Sequence, residues 1–182
     1  MPERAIIDWT SPDGQPEARL YSRWAPPAHQ IPALADFLST PAPTGTHDLT
    51  AYRTWITEHA PHLITAVTTP QAPERGTPID YRYTIQTQPL RVTATTHHPE
   101  QPASTRTITS TGELFAAAAQ LLAGQALRIR ALTEAYPRPP YAAYLADPDA
   151  LEAAAVRHEA SAAAAGWWPD DQPLLDPAHS DQ

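Results

Sequence analysis

The spacing of the prolines constrains the fold of this chain more than any other feature of the sequence. The sequence has 22 prolines among 182 residues, more than twice the usual share of about 5%. They stand singly or in pairs, as at Pro26-Pro27 and Pro139-Pro140, and they form no continuous tract. Because proline lacks an N–H and interrupts helices and central strands, we expect short elements separated by turns.

Alternating apolar residues between these breaks predict a β-sheet. Residues 4–10 and 17–24 alternate on either side of the turn sequence Ser-Pro-Asp-Gly at 11–14, which predicts a β-hairpin. In its second strand Leu20 belongs to the predicted core face. Further strands are predicted at 62–69, 79–86, 90–97 and 104–109.

Helical periodicity and capping residues predict the helices. Apolar residues recur at helical spacing in 31–39, where Pro32 is expected in the first turn, and in 48–59. A capping box, Ser-Thr-Gly-Glu, begins a long helix from 110 to about 136. We therefore predict an α+β fold: an antiparallel sheet of about five strands with helices packed on one face, plus a C-terminal helical extension.

The domain organisation follows from the distribution of charge and proline. We predict an α+β domain at 1–136, a proline-rich linker at 137–146, an acidic alanine-rich helix at 147–168 and a disordered acidic tail at 169–182. The net charge is −8. Residues 147–182 contain eight acidic residues and a single arginine, a net charge of −7, so almost all of the acidity belongs to this extension.

Composition excludes several classes of function. The absence of cysteine rules out disulfides, thiolate nucleophiles and cysteine-ligated metal. The longest apolar stretch, 114–127, contains glutamine and glycine, so we expect a cytoplasmic protein without a membrane segment. The nearly neutral body opposes general nucleic-acid binding. All twelve basic residues are arginine, a bias typical of GC-rich bacteria such as actinomycetes.

The histidines are the candidate metal ligands. His59 and His62 stand three residues apart, and His97 and His98 are adjacent at a predicted strand end. A zinc site needs three or four convergent ligands, and Pro61 interrupts the first pair. A histidine-based metal-binding protein or hydrolase is therefore an alternative interpretation. The leading interpretation needs no cofactor, because the chain has no phosphate loop, dinucleotide fingerprint or nucleophile elbow.

Two groups of side chains are candidates for partner binding. Arg19, Tyr21 and Arg23 share one face of the hairpin, where they can meet a protein partner, stack on nucleic acid, or pair with nearby acids such as Asp8. Trp167 and Trp168 follow the last helix. They either fold back onto their own domain or form a docking segment.

The N-terminal half resembles a small family of uncharacterised α+β domains from phages and plasmids. The similarity covers residues 4–98. It rests on these segments, quoted in order: Asp13-Gly14, Arg19-Leu20-Tyr21-Ser22-Arg23-Trp24, Ile31-Pro32-Ala33-Leu34, Phe37-Leu38 and Asp80-Tyr81-Arg82-Tyr83-Thr84-Ile85. Arg23-Trp24-Ala25 stands where the family has histidine and glycine. The resemblance implies a fold and a mobile-element context, and it implies no catalytic residue.

These observations favour a non-enzymatic interaction or accessory protein of a phage, plasmid or other mobile element, with a protein partner. The metal-binding or hydrolase interpretation remains open, as does a nucleic-acid-binding module that uses the face of Arg19, Tyr21 and Arg23.

Overall fold

The computed structural model describes residues 4–22, 25–41, 46–63, 66–68, 79–97, 103–136 and 146–167. The chain divides into two compact units, residues 1–110 and 111–182. We predicted that the helix starting near residue 110 belongs to a domain at 1–136. The division falls before this helix instead, because the helix packs along the last helix of the chain.

The first unit contains a six-stranded mixed sheet with the order β3-β2-β1-β4-β5-β6. Its strands are β1 (Ala5–Thr10), β2 (Pro16–Ser22), β3 (Ala66–Thr68), β4 (Tyr81–Thr87), β5 (Leu90–Thr96) and β6 (Ser104–Ile108). Neighbouring strands are antiparallel except β1 and β4, which are parallel. The α+β class is confirmed. The sheet is antiparallel as predicted, apart from this one pair.

The β1–β2 hairpin forms as its turn sequence predicts. Gly14 has a φ of +80°, a conformation that favours glycine, and its N–H donates to the Ser11 carbonyl at 2.9 Å. The register pairs Ile7 with Leu20 and Asp8 with Arg19. Leu20 is fully buried, so the predicted assignment of this strand's two faces is confirmed.

Helices α1 (Pro27–Ser39) and α2 (Leu49–His59) pack on the face of the sheet that carries Ile7. The Trp9 ring of β1 stacks on the Tyr52 ring of α2, with centroids 4.9 Å apart. The Tyr83 hydroxyl of β4 donates to the Ala25 carbonyl, just before α1, at 3.0 Å. The prediction of helices on one face is confirmed for α1 and α2.

The start of α1 differs from the prediction. The helix begins at Pro27, and Pro32 lies inside it instead of in its first turn. Pro27 suits the first helical position because the N–H that proline lacks would have no intrahelical partner there. Pro32 removes one backbone hydrogen bond, but it sits between fully buried Ile31 and Leu34 side chains. Burial of these neighbours stabilises the helix through the interruption.

The second unit is an antiparallel hairpin of α3 (Thr111–Ala135) and α4 (Pro148–Ala164). The predicted start of α4 is confirmed, because an oxygen of the Asp147 side chain accepts the Asp149 N–H at 3.0 Å. Its end is confirmed by Gly166, with a φ of +76°. The Trp167 N–H donates to the Ala162 carbonyl at 3.0 Å, which completes a Schellman motif.

Within the ranges given above, no helix is long and apolar enough to cross a membrane. The predicted tail at 169–182 and positions 137–145 of the predicted linker lie outside the described residues.

Candidate interaction surfaces

An ion-pair cluster lies on the face of the sheet opposite α1 and α2. Its centre is Asp8, whose carboxylate accepts the Arg19 Nε at 2.6 Å and Nη2 at 3.2 Å. Arg82 of β4 donates its Nη1 to the same carboxylate at 3.1 Å. The side chains of Asp8, Arg19 and Arg82 are 17%, 15% and 31% exposed. The cluster is therefore partly desolvated, and these contacts are stronger than those of an open surface pair.

The cluster changes the interpretation of the predicted binding face of Arg19, Tyr21 and Arg23. Arg19 makes a bidentate contact with Asp8. This is the pairing with a nearby acid that the sequence offered as an alternative to partner binding. Tyr21 is half-buried on the same face, and Arg23 lies outside the described residues. The guanidinium groups of Arg19 and Arg82 share this carboxylate. Binding a base or a phosphate through Arg19 would compete with its ion pair.

Threonines occupy the same face at the far end of the sheet. The hydroxyl oxygens of Thr93 and Thr107 lie 3.4 Å apart, and those of Thr95 and Thr105 lie 3.1 Å apart. These cross-strand pairs join β5 to β6 through uncharged polar contacts.

A polar pair lies inside the core between α1 and α2. Gln30 and Tyr52 are both 0% exposed, and the Gln30 Nε2 donates to the Tyr52 hydroxyl at 2.8 Å. The Gln30 Oε1 has no hydrogen-bond partner among the described residues. Burial raises the pKa of Tyr52 well above its usual range, against a smaller lowering by the Gln30 hydrogen bond. The hydroxyl is therefore neutral at physiological pH.

The candidate metal ligands are only partly described. The His59 ring stacks on Trp55 with centroids 4.9 Å apart, and its Nδ1 lies 2.9 Å from the Trp55 carbonyl. His97 is exposed directly after β5. The His62 side chain and the whole of His98 lie outside the described residues. In the part of the chain that is described, no three histidine, aspartate or glutamate side chains cluster as metal ligands.

Trp167 packs on the beginning of α3. A Cβ atom added to Gly112 would lie 2.7 Å from the Trp167 Cβ, so only glycine allows this close approach. The Schellman motif of α4 directs Trp167 to this position. Of the two outcomes predicted for the tryptophans, the contact supports intramolecular packing for Trp167. Trp168 lies outside the described residues.

Polar and aromatic contacts join the two helices of the hairpin. The Arg130 Nη2 donates to the Asp149 carboxylate at 2.7 Å and to the Glu152 carboxylate at 2.8 Å. The buried His158 ring stacks on Phe115 with centroids 6.0 Å apart. Sequence reasoning did not identify these contacts, because the residues are far apart along the chain and carry no local motif.

The outer face of α4 is unusually apolar. The helix buries Ala155, His158 and Ala162. On the opposite side Val156 is 62% exposed. The exposed apolar residues of this outer face are Ala150, Ala153, Val156, Ala160, Ala163 and Ala164. A surface helix normally presents polar residues to water, and here only three exposed helical residues are charged: Asp149, Arg157 and Glu159.

Comparison with known proteins gives no match: no family model, curated protein or solved structure is significantly similar to this chain. The resemblance to phage and plasmid domains therefore stays a prediction.

Proposed function

We propose that this chain is a non-enzymatic interaction protein that binds a protein partner through the outer face of α4. The observation that carries the proposal is the exposure of Val156 within a helix face of small apolar residues. An exposed apolar patch rimmed by charges is typical of a protein-interaction site. Small side chains also allow the backbone of a partner to approach closely.

The charge distribution supports a partner with a basic rim. Residues 147–182 have a net charge of −7 by sequence. Among the described residues, Asp149 and Glu152 are paired with Arg130, whereas Glu159 is exposed beside the apolar face. Opposite charge on a partner accelerates association and selects its orientation more than it adds affinity. The arginine-only, GC-rich composition and the family resemblance support an accessory protein of a phage, plasmid or other mobile element.

Site-specific photo-crosslinking in an actinomycete host carrying the gene tests this function. A benzophenone amino acid replaces Val156 in one strain. In a matched control strain it replaces Thr54, an exposed residue of α2. We expect a discrete protein adduct only from position 156, and we expect Ala160→Glu to abolish it, because a carboxylate would have to be desolvated in the contact.

Two outcomes would contradict the proposal. One is the same adducts at both positions, which indicates random collision. The other is an adduct at position 156 that survives Ala160→Glu, which shows that the contact does not extend over the apolar face around Ala160.

A further inference from the structure

The turn between β1 and β2 contains the dipeptide Asp13-Gly14. Asp13 is the only aspartate in the sequence that is followed by glycine, and the sequence contains no asparagine. Because glycine has no side chain, its amide nitrogen is less shielded than that of any other residue. This nitrogen can attack the side chain of a preceding aspartate. The sequence therefore makes Asp13 the most reactive position of this backbone.

The reaction at such a dipeptide is an internal condensation followed by hydrolysis. The Gly14 nitrogen forms a bond to the Asp13 Cγ, the bond from Cγ to one carboxyl oxygen breaks, and the amide proton leaves with that oxygen as part of a water molecule. Water then opens the five-membered succinimide. Opening at Cγ restores aspartate, whereas opening at the backbone carbonyl carbon leaves isoaspartate, which is linked through its side chain. The water lost is regained, so the conversion needs no oxidant or cofactor.

The reacting residues lie at the surface of the folded protein. Asp13 and Gly14 are both exposed, and so are Pro12 and Gln15 on either side of them. Water can therefore reach the site without unfolding of the first unit. An enzyme that recognises the modified residue can reach it as well.

Hydrogen bonds to Ser11 engage both reacting groups. The Gly14 N–H donates to the Ser11 carbonyl at 2.9 Å. The Ser11 hydroxyl donates to the Asp13 Oδ1, and the same hydroxyl accepts the Gln15 N–H at 3.1 Å. Attack requires the Gly14 nitrogen to leave the Ser11 carbonyl and the Asp13 carboxyl group to turn away from the hydroxyl. The folded turn thus restrains a reaction that its sequence permits.

Conversion at Asp13 would alter the hairpin. Isoaspartate places the Cβ of residue 13 in the main chain, which adds one methylene group to the connection between β1 and β2. The present register pairs Trp9 with Ala18 and Asp8 with Arg19, and the length of the turn sets the register of a hairpin. A longer connection disturbs this pairing, so the modified protein should be less stable.

We propose that Asp13-Gly14 is a modification site at which the chain converts to isoaspartate, and that Ser11 restrains the conversion while the hairpin is closed. Conversion proceeds when the turn opens locally, because both hydrogen bonds to the reacting groups are then lost. The site belongs to the first unit and makes no use of α4. The proposal therefore goes beyond the proposed function and succeeds or fails independently of it.

Storage of the full chain at neutral pH tests the site. Isoaspartate methyltransferase transfers a labelled methyl group from S-adenosylmethionine to the free α-carboxylate of isoaspartate, which measures the amount formed, and peptide mapping locates it. We expect residue 13 to accumulate more isoaspartate than any other position. Asp13→Glu should remove this signal, because the longer side chain would have to close a six-membered ring.

Variants at Ser11 test the restraint. Ser11→Ala removes the hydroxyl and should raise the conversion rate in the folded protein by about fivefold, whereas Ser11→Thr keeps the hydroxyl and the wild-type rate. Thr10→Val is the matched control. It removes a neighbouring hydroxyl, which donates to the Ile85 carbonyl at 3.2 Å, and leaves the Asp13 contact intact. In urea all of these chains should convert at one rate, faster than the folded wild type.

Three results would overturn the proposal. The first is no excess of isoaspartate at residue 13 in urea, and the second is a wild-type rate for folded Ser11→Ala. The third is equal acceleration by Thr10→Val and Ser11→Ala, because general loosening of the hairpin would then set the rate. If Ser11→Ala does not fold by circular dichroism, the wild type decides: equal rates in buffer and in urea would exclude any restraint by the folded turn.

Discussion

The buried pair of Gln30 and Tyr52 yields a quantitative prediction. Tyr52→Phe removes the hydroxyl that accepts the Gln30 Nε2, and the Gln30 Oε1 already has no partner among the described residues. The variant therefore leaves a fully buried amide without a hydrogen bond, which costs about 1–3 kcal/mol of unfolding free energy. Gln30→Met leaves the buried hydroxyl unpaired and should cost a similar amount.

The double variant, Gln30→Met with Tyr52→Phe, removes both polar groups and should be close to the wild type in stability. The two changes are then strongly non-additive, with a coupling energy of about 1–3 kcal/mol. Urea unfolding followed by near-ultraviolet circular dichroism measures this, because Tyr52 stacks on Trp9. Additive effects of the single variants within about 0.5 kcal/mol would refute the reasoning.

The same pair predicts a loss of stability at alkaline pH. Burial raises the pKa of Tyr52 in the folded state, whereas the pKa of a tyrosine in the unfolded chain is about 10. The contribution of the neutral Tyr52 hydroxyl to the unfolding free energy is fully present below the pKa of the unfolded state. Above it the unfolded state loses a proton that the folded state retains, so the unfolding free energy falls by about 1.4 kcal/mol per pH unit, until the folded pKa is reached. Tyr52→Phe should show a shallower decline than the wild type above pH 10.

Two further predictions concern the predicted core face and the contact between α3 and Trp167. Leu20→Asp should unfold the first unit, because it places a charge at a fully buried position. Arg19→Ala should lower the melting temperature by only a few degrees, since Asp8 keeps its contact with Arg82; similar losses for both variants would show that the two faces are misassigned. Gly112→Ala forces a Cβ against Trp167 and should cost about 1–3 kcal/mol in urea unfolding. Trp167→Gly in the Gly112→Ala background removes the clashing Cβ and should relieve part of that cost; an unrelieved cost would exclude the contact as its cause.

Local patterns predicted the elements that depend on neighbouring residues. The turn at 11–14, with Gly14 at positive φ, and the alternation around Leu20 were sufficient to predict the hairpin. The Asp147 cap and Gly166 likewise predicted both ends of α4. In each case the residues that form the structure are close in sequence, so their preferences need little help from the rest of the chain.

Local patterns missed the contacts that depend on distant residues. The helix preceding Ile31 was not predicted, and so Gln30 was not identified as a core residue. Its partner Tyr52 lies on another helix, 22 positions away. The Arg130 contacts with Asp149 and Glu152 also join separate helices. A polar residue at one position contains no information about which distant group will form a hydrogen bond or ion pair with it.

By itself the sequence determined the α+β class, the hairpin and its two faces, and the acidic, alanine-rich character of the C-terminal helix. These follow from periodicity, turn chemistry and composition, which act over a few residues. Only the tertiary structure decided that β4 lies parallel to β1, that β6 pairs with β5 alone among the described strands, and that Asp8 binds Arg19 and Arg82 together. The physical reason is that strand order and side-chain partners depend on which distant surfaces bury the most apolar area together, and that choice is made by the whole chain at once.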